Sequence, residues 1–239
     1  MSTNLIKFIP QGTERILEVG CADGALGQLI LAKGLAREYV GIEIRPKEAD
    51  IARQRLTTVH CADAEQLELP YSDGYFDCLI YGDSIEHLRD PATLLTYHTR
   101  LLKPDGFALC SIPNVRNLFV IDHLLQGSWT YTDWGLLDRT HLKFFTLREL
   151  RKLFPQVGLE IKQVEYSLRD GAWFTKMYPP ESVRAEFLRL YDYLQGKLIK
   201  GEDIRDELRN LYLFQSLSRE EVPELFTVQF HIQARKPAA

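Results

Sequence analysis

Residues Arg15–Ile30 read RILEVGCADGALGQLI: an apolar run, a turn with two glycines and two alanines within seven residues, and an apolar segment with helical spacing. A strand that ends at Gly20 and passes into a helix brings free backbone amides and the positive helix end to one point, and a glycine there lets a ligand approach closely. The dinucleotide fingerprint G-x-G-x-x-G/A is met only as Gly20-x-Ala22-x-x-Ala25, with a single true glycine. The pattern E-x-G-x-G-x-G fits better, through Glu18, Gly20 and Gly24, with Ala22 in the middle glycine's place. An acidic side chain inside the first strand suits a cationic ligand reached through water and disfavours a buried phosphate.

Outward from this turn, apolar β-branched runs alternate with helical patterns, the mark of parallel strands joined by crossover helices. Strands are expected near 15–20, 38–44, 57–61, 75–81 and 106–112. Leu26, Leu29 and Ile30 share one helix face. Asp90 and Pro91 open another helix, with Leu94, Leu95, Leu101 and Leu102 on its buried side and Pro104-Asp105-Gly106 closing it. Thr146 and Glu149 have capping-box spacing and predict a helix from about Leu147. Strand-like alternation returns at 158–168 and 226–236. Between them lie two amphipathic stripes, one of Val183, Phe187, Leu190, Tyr191 and Leu194, the other of Ile204, Leu208, Leu211 and Tyr212.

The chain has 239 residues, 45% of them hydrophobic, enough for the core of one large α/β domain. A net charge of −4 supplies no global field for a phosphate backbone, so nucleic acid is an unexpected partner. Cys21, Cys61, Cys78 and Cys110 form no C-x-x-C pair and fall in or beside apolar runs, which predicts reduced thiols and a cytoplasmic setting. No run approaches the roughly 20 apolar residues of a membrane span. No His, Cys and carboxylate cluster has metal-ligand spacing, and no metal is expected.

Four segments in order resemble the class I S-adenosylmethionine-dependent methyltransferases: the turn after Glu18, YVGIEIRP with Glu43, CADAEQLELPYSDGYFDCLIYGD (61–83), and LLKPDGFALCSIPN (101–114). The resemblance implies a Rossmann-like, doubly wound seven-stranded sheet, mostly parallel with an antiparallel last strand, plus a helical insertion. It also implies S-adenosylmethionine as cofactor. Glu43 would accept from both ribose hydroxyls, Asp63 from the adenine amino group, and the Ala64 amide would meet a ring nitrogen. Cys21, Ala22, Ile44, Tyr81 and Gly82 complete the implied cofactor set. SWTYTDWGLLDRTHLKFFT (128–146) and LFTVQFHIQARKP (225–237) resemble a bacterial branch associated with glycosyltransferases and surface-polysaccharide assembly.

Methyl transfer from a sulfonium is an in-line displacement, so the protein aligns the acceptor and receives its proton. A histidine suits that task near neutral pH. His141 in LDRTH is the first candidate base, with Asp138 as an orienting carboxylate or acceptor contact and Arg139 as a binder of an anionic acceptor group. His87 is the second, and Asp83 serves either the methionine end or the acceptor. His60, His98, His123 and His231 read as surface or packing residues. Trp129, Tyr131 and Trp134 either stack on an acceptor or anchor a long loop.

The expected organisation is a single methyltransferase domain over 1–239, with acceptor-side insertions at about 114–145 and 169–225. The second is expected to leave a parallel strand beside the active site as a lid or pocket wall, or else to form a dimer interface. The acceptor is a small molecule or a glycan, methylated on oxygen or nitrogen by a monomer or homodimer. Two other functions compete: a catalytically silent cofactor-binding subunit and a nicotinamide-dependent oxidoreductase.

Overall fold

The computed structural model describes residues 3–178, 185–209 and 218–238. The chain divides into two compact units, one of residues 1–112, 148–165 and 230–239, the other of 113–147 and 166–229.

The first unit is built on parallel strands β1 (Arg15–Val19), β2 (Glu38–Glu43), β3 (Thr58–Cys61), β4 (Phe76–Gly82) and β5 (Leu102–Pro113). With β6 (Glu160–Leu168) and β7 (Thr227–Arg235) they make a seven-stranded sheet ordered β3-β2-β1-β4-β5-β7-β6. Chain direction reverses beside β5, because Asp105 N–H donates to Lys236 while Asn114 N–H donates to Val228, so residue numbers fall on β7 as they rise on β5. β6, expected to run with a parallel set, has this reversed strand as its neighbour.

Helices α1 (Ala25–Ala32), α2 (Pro46–Ala52) and α3 (Pro91–Leu101) cross between the parallel strands. Asp90 caps α3 by accepting from the Thr93 amide at 3.1 Å, and Pro91 occupies the first turn, where no amide partner is needed. α5 (Leu147–Gln156) begins at the expected residue. Two details differ from the sequence reading. Leu29 is exposed, and α1 packs through Leu26, Gly27 and Ile30. Pro104-Asp105-Gly106 does not simply close α3: β5 already pairs at Leu102, and the segment bulges until Phe107 meets Cys78, with Asp105 left-handed at φ 63°.

Apolar packing beneath the first turn joins Ile16, Leu26, Ile30, Tyr39, Leu56 and Cys78. Gly41 on β2 has no room for a side chain, since a Cβ there would stand 2.5 Å from the Cys21 Sγ. Cys21, Cys78 and Cys110 are buried free thiols, whereas Cys61, at the end of the edge strand β3, is exposed. No helix among the described residues is long and apolar enough to cross a membrane.

The second unit has its own core, formed by α4 (Leu118–Leu125), α6 (Gly171–Met177), α7 (Ala185–Ile199), α8 (Arg205–Arg209) and α9 (Val222–Phe226). Phe119 is its hub, with ring centroids 4.5 Å from Phe174 and 4.3 Å from Tyr178. Truncating such a buried ring costs about 3–5 kcal/mol. Asn114 fixes the chain's entry by donating to the carbonyls of Glu224 and Thr227 at 2.7 and 2.8 Å. On α7 the buried face runs through Tyr191, Leu194 and Gln195, with Phe187 and Leu188 half-buried; Leu190, expected on that face, is exposed. Ile204 and Leu208 are buried as expected. Val183, Leu211 and Tyr212 lie outside the described residues.

His98 on α3 is fully buried, with Nδ1 paired to the Tyr81 hydroxyl at 2.9 Å, and burial lowers its pKa from 6.5 to about 4. The unfolded chain takes up this proton near pH 6.5 and the folded chain only near pH 4, so folding is favoured above 6.5 and weakens as pH falls. Urea denaturation should show the wild type losing about 3 kcal/mol more than a His98→Phe variant across that interval. Parallel losses in the two proteins would show that His98 does not titrate this way.

Candidate cofactor site

Four adjacent strands in the order β3-β2-β1-β4 bring carboxylates to the carboxyl edge of the sheet. Glu18 lies one residue from the end of β1, Glu43 ends β2, Asp63 follows β3 by two residues and Asp83 follows β4 directly. Register fixes this alignment, since Glu18 pairs with Gly41, Glu43 with Cys61 and Val19 with Tyr81. Ligands of open parallel sheets bind outside this edge.

The turn itself differs from an open anion nest. Gly20 and Cys21 donate their amides to the Ile42 carbonyl at 2.8 and 3.0 Å, and Gly24 donates to Cys21 at 2.9 Å. Ala22 donates to Glu43 Oε2 at 2.9 Å and Ala25 to Asp23 Oδ1 at 3.2 Å. The free amides expected from sequence are therefore largely engaged within the turn. What the turn offers a ligand is carboxyl groups rather than amides. Ala22 takes the left-handed conformation, φ 48°, which glycine adopts at lower cost, and its bond to Glu43 holds it there.

Glu43 is buried and ties two segments together. Its Oε1 accepts from the Arg45 amide at 2.9 Å and from Arg45 Nε at 3.0 Å, while Oε2 holds the turn. Each carboxylate oxygen can accept more than one hydrogen bond, so capacity remains for hydroxyls. Asp63 Oδ1 accepts from the Glu65 amide at 3.0 Å, and Arg89 Nη1 lies 3.5 Å from Oδ2.

Asp83 has φ 58°, and its Oδ1 accepts from the Ser111 hydroxyl at 2.9 Å. Burial raises its pKa, opposed by the Ser111 bond. Glu18 is buried too and accepts from the Tyr39 hydroxyl at 2.9 Å. Burial pushes the Glu18 carboxyl up to about 8, opposed by the Tyr39 bond and reinforced by Glu43 and Asp23.

Two observations test whether an S-adenosylmethionine group suits this edge. Ser84 Oγ is buried and, among the described residues, has no hydrogen-bond partner; its Cβ would lie 3.2 Å from any Cβ added at Gly20. A side chain at Gly20 would thus crowd Ser84, whose hydroxyl is the orphan. Carboxylates, an orphan hydroxyl and few spare amides suit a sulfonium and an ammonium better than a pyrophosphate.

Other implied cofactor residues vary in placement. Cys21 is buried as a neutral thiol, pushed up to about 12 by burial and by Glu18. Ala64 and Gly82 are half-buried at the edge, and Ile44 is 61% exposed. The Tyr81 side chain turns into the core toward His98, leaving only its backbone for a cofactor.

His87 is half-buried in a short 3-10 turn, Ile85–His87, after β4. In the second unit, His141 is buried, with its amide donating to the Asp138 carbonyl and its ring edge-on to Phe144. Asp138 Oδ1 accepts from the Thr140 amide and hydroxyl at 2.7 and 2.6 Å. Arg139 pairs with Asp133 at 2.7 Å. Trp129 packs on Phe144, whereas Tyr131 and Trp134 are 48% and 55% exposed.

Tyr39, Arg45, Ser84 and Ser111 join the site only through the structure. Tyr39 carried a signal, since a phenol in a buried strand needs a polar partner and Glu18 is the acid on the adjoining strand. Ser84 and Ser111 carried none that a small hydroxyl elsewhere would lack.

Sheet order and acidic edge together define a Rossmann-like methyltransferase fold. The profile of the family described as "Methyltransferase domain" matches residues 2–164, and the chain belongs to that family. The chain is 30% identical over 152 residues to a ubiquinone biosynthesis O-methyltransferase of Cereibacter sphaeroides, covering 61% of this chain and 60% of that protein. Against a ubiquinone biosynthesis O-methyltransferase of Dinoroseobacter shibae it is 33% identical over 158 residues, with the same 61% and 60% coverage. The chain thus spans about three-fifths of the length of these relatives. Among solved structures, a SAM-dependent methyltransferase from Archaeoglobus fulgidus superposes with TM-score 0.62 at 20% identity, covering 98% of this chain and 91% of that one. The [4+2]-cyclase SpnF superposes with TM-score 0.58 at 22% identity, covering 99% and 81%. At such identities these structures show the fold alone.

Because Glu43 holds the turn, Glu43→Ala should act on both stability and binding. Loss of its hydrogen bonds predicts a fall of about 1–3 kcal/mol in unfolding free energy, and calorimetry should show S-adenosylmethionine binding weakened at least about tenfold. A folded variant with unchanged affinity would remove Glu43 from the ribose position.

Proposed function

We propose that this protein transfers the methyl group of S-adenosylmethionine to a hydroxyl of a small-molecule acceptor, with the cofactor on the carboxyl edge of β1–β4. The observation that carries the cofactor placement is the row Glu18, Glu43, Asp63 and Asp83 on four adjacent strand ends. In this reading Glu43 receives the ribose hydroxyls, Asp63 and the Ala64 amide receive adenine, and Asp83 and Ser84 face the methionine end. The bound cofactor supplies the methyl group as a sulfonium. O-methylation of a small molecule is supported by the names of the two ubiquinone-biosynthesis relatives.

Acceptor binding falls, in this reading, to the insertions at about 114–145 and 169–225 of one methyltransferase domain. His141 takes the acceptor proton, and His87 is the alternative base. Exposed Tyr131 and Trp134 favour a flat ring or a sugar face, so a glycan acceptor is the second reading. Buried free thiols at Cys21, Cys78 and Cys110 suit the cytoplasmic setting proposed here.

The test is transfer of labelled methyl from S-adenosylmethionine to a panel of phenols, catechols and sugars. Phenolic or catechol products are expected; labelled sugars alone would transfer the assignment to glycans. Against the accepted substrate, His141→Ala should lower kcat about 10²–10⁴-fold with cofactor affinity unchanged. Full turnover would reject His141 as base and bring His87→Ala to the same assay.

A further inference from the structure

Among the described residues, Glu18 has one hydrogen-bond partner, the Tyr39 hydroxyl at 2.9 Å, and both side chains are buried within the first unit. Its acidic neighbours are differently placed. Glu43 is matched by Arg45 at 3.0 Å and also accepts two backbone amides, while Asp23 is held by Arg55. Among the described residues, no arginine or lysine forms an ion pair with Glu18. The other groups facing the pair are the Cys21 thiol from the turn and, beside Tyr39, the Cys78 thiol from β4; burial raises the pKa of both, so both stay neutral at pH 7. Glu18 is thus a buried carboxyl beside two like charges, with a neutral hydroxyl as its support, directly under the turn assigned to a cationic cofactor.

We propose that Glu18 is a protonated carboxylic acid in the cofactor-free protein and releases that proton to solvent when S-adenosylmethionine binds, so that cofactor capture is coupled to pH through the Glu18–Tyr39 pair. The proposal rests on the placement of the cofactor at this turn. In the free protein the proton sits on Oε1, and Oε2 accepts from Tyr39. Two positive groups of the cofactor, the sulfonium and the ammonium, exceed its single carboxylate. Their arrival favours the ionised form of a nearby acid, as an opposite charge does within a few ångströms. The balance is one Glu18 carboxylic acid and one cation giving one carboxylate–cation pair and one proton taken up by buffer. Burial pushes free Glu18 up to about 8, which places the change near neutral pH.

A neutral acid here serves the empty site. An ionised Glu18 without a cation would be an uncompensated buried charge beside Glu43 and Asp23. Protonation removes that cost until the cofactor arrives, and the charge then formed is matched. Affinity should consequently rise with pH, approaching tenfold per unit, between the pKa values of the bound and free states.

The experiment is calorimetric titration of the full chain with S-adenosylmethionine at pH 7 in phosphate, PIPES and Tris, whose ionisation enthalpies differ. The dependence of the observed heat on buffer counts protons. Wild type should release most of one proton. Glu18→Gln, which imitates the neutral acid and retains an acceptor for Tyr39, should bind cofactor with no such release and with an affinity flat between pH 6 and 8. A second readout on wild type is the infrared difference spectrum on cofactor addition, where the C=O band of a protonated carboxyl should disappear; it stands even if the variant does not fold. Binding without proton release, equal release by Glu18→Gln, or an unchanged carboxyl band would overturn the proposal while leaving the cofactor site intact. Absence of any binding heat would overturn the cofactor placement as well.

Discussion

The bond from the Ala22 amide to Glu43 Oε2 holds the first turn to the end of β2, and the shape of the candidate cofactor site depends on it. Ala22 is left-handed where glycine would be at ease, so the turn needs an external hold. Glu43 provides it with one oxygen and fixes Arg45 with the other. Packing beneath is tight, since a Cβ at Gly41 would stand 2.5 Å from Cys21 Sγ and 2.9 Å from Leu56 Cδ1. One buried carboxylate therefore sets the shape of the turn, the start of the β2–α2 connection and the charge that both present.

That charge separates this edge from other sites on similar sheets. A dinucleotide turn offers unspent amides to phosphate, whereas this one engages most of its amides internally and surrounds them with Glu18, Asp23 and Glu43. The distinction matters because the fold is permissive: a [4+2]-cyclase shares it at TM-score 0.58. The methyltransferase-domain family match runs through residues 2–164, and the second compact unit takes 113–147 from within that stretch and 166–229 from beyond it.

Much of the parallel half was legible in the sequence because each strand is a short apolar run closed by a punctuating residue. Gly20, Glu43, Asp63 and Asp83 stand at those closures, so the edge followed from one-dimensional order. Interactions that depend on rotamers were not legible. Asp138 and His141 are close in sequence, and the Asp138 carboxylate turns back to Thr140 to satisfy an amide and a hydroxyl of its own turn. Leu29 and Leu190 fit apolar periodicities and face solvent, since period alone does not say how wide a buried stripe is. Tyr81 lies at the right strand end, but alternation along β4 sends its ring toward α3 and His98.

A crystal structure of the protein with S-adenosylhomocysteine tests the central claim most directly. The ribose hydroxyls should lie within hydrogen-bond distance of Glu43, adenine beside Asp63 and Ala64, and the amino-acid end against the 20–25 turn near Ser84. A ligand bound away from the carboxyl ends of β1–β4, or a ribose that makes no contact with Glu43, would contradict it.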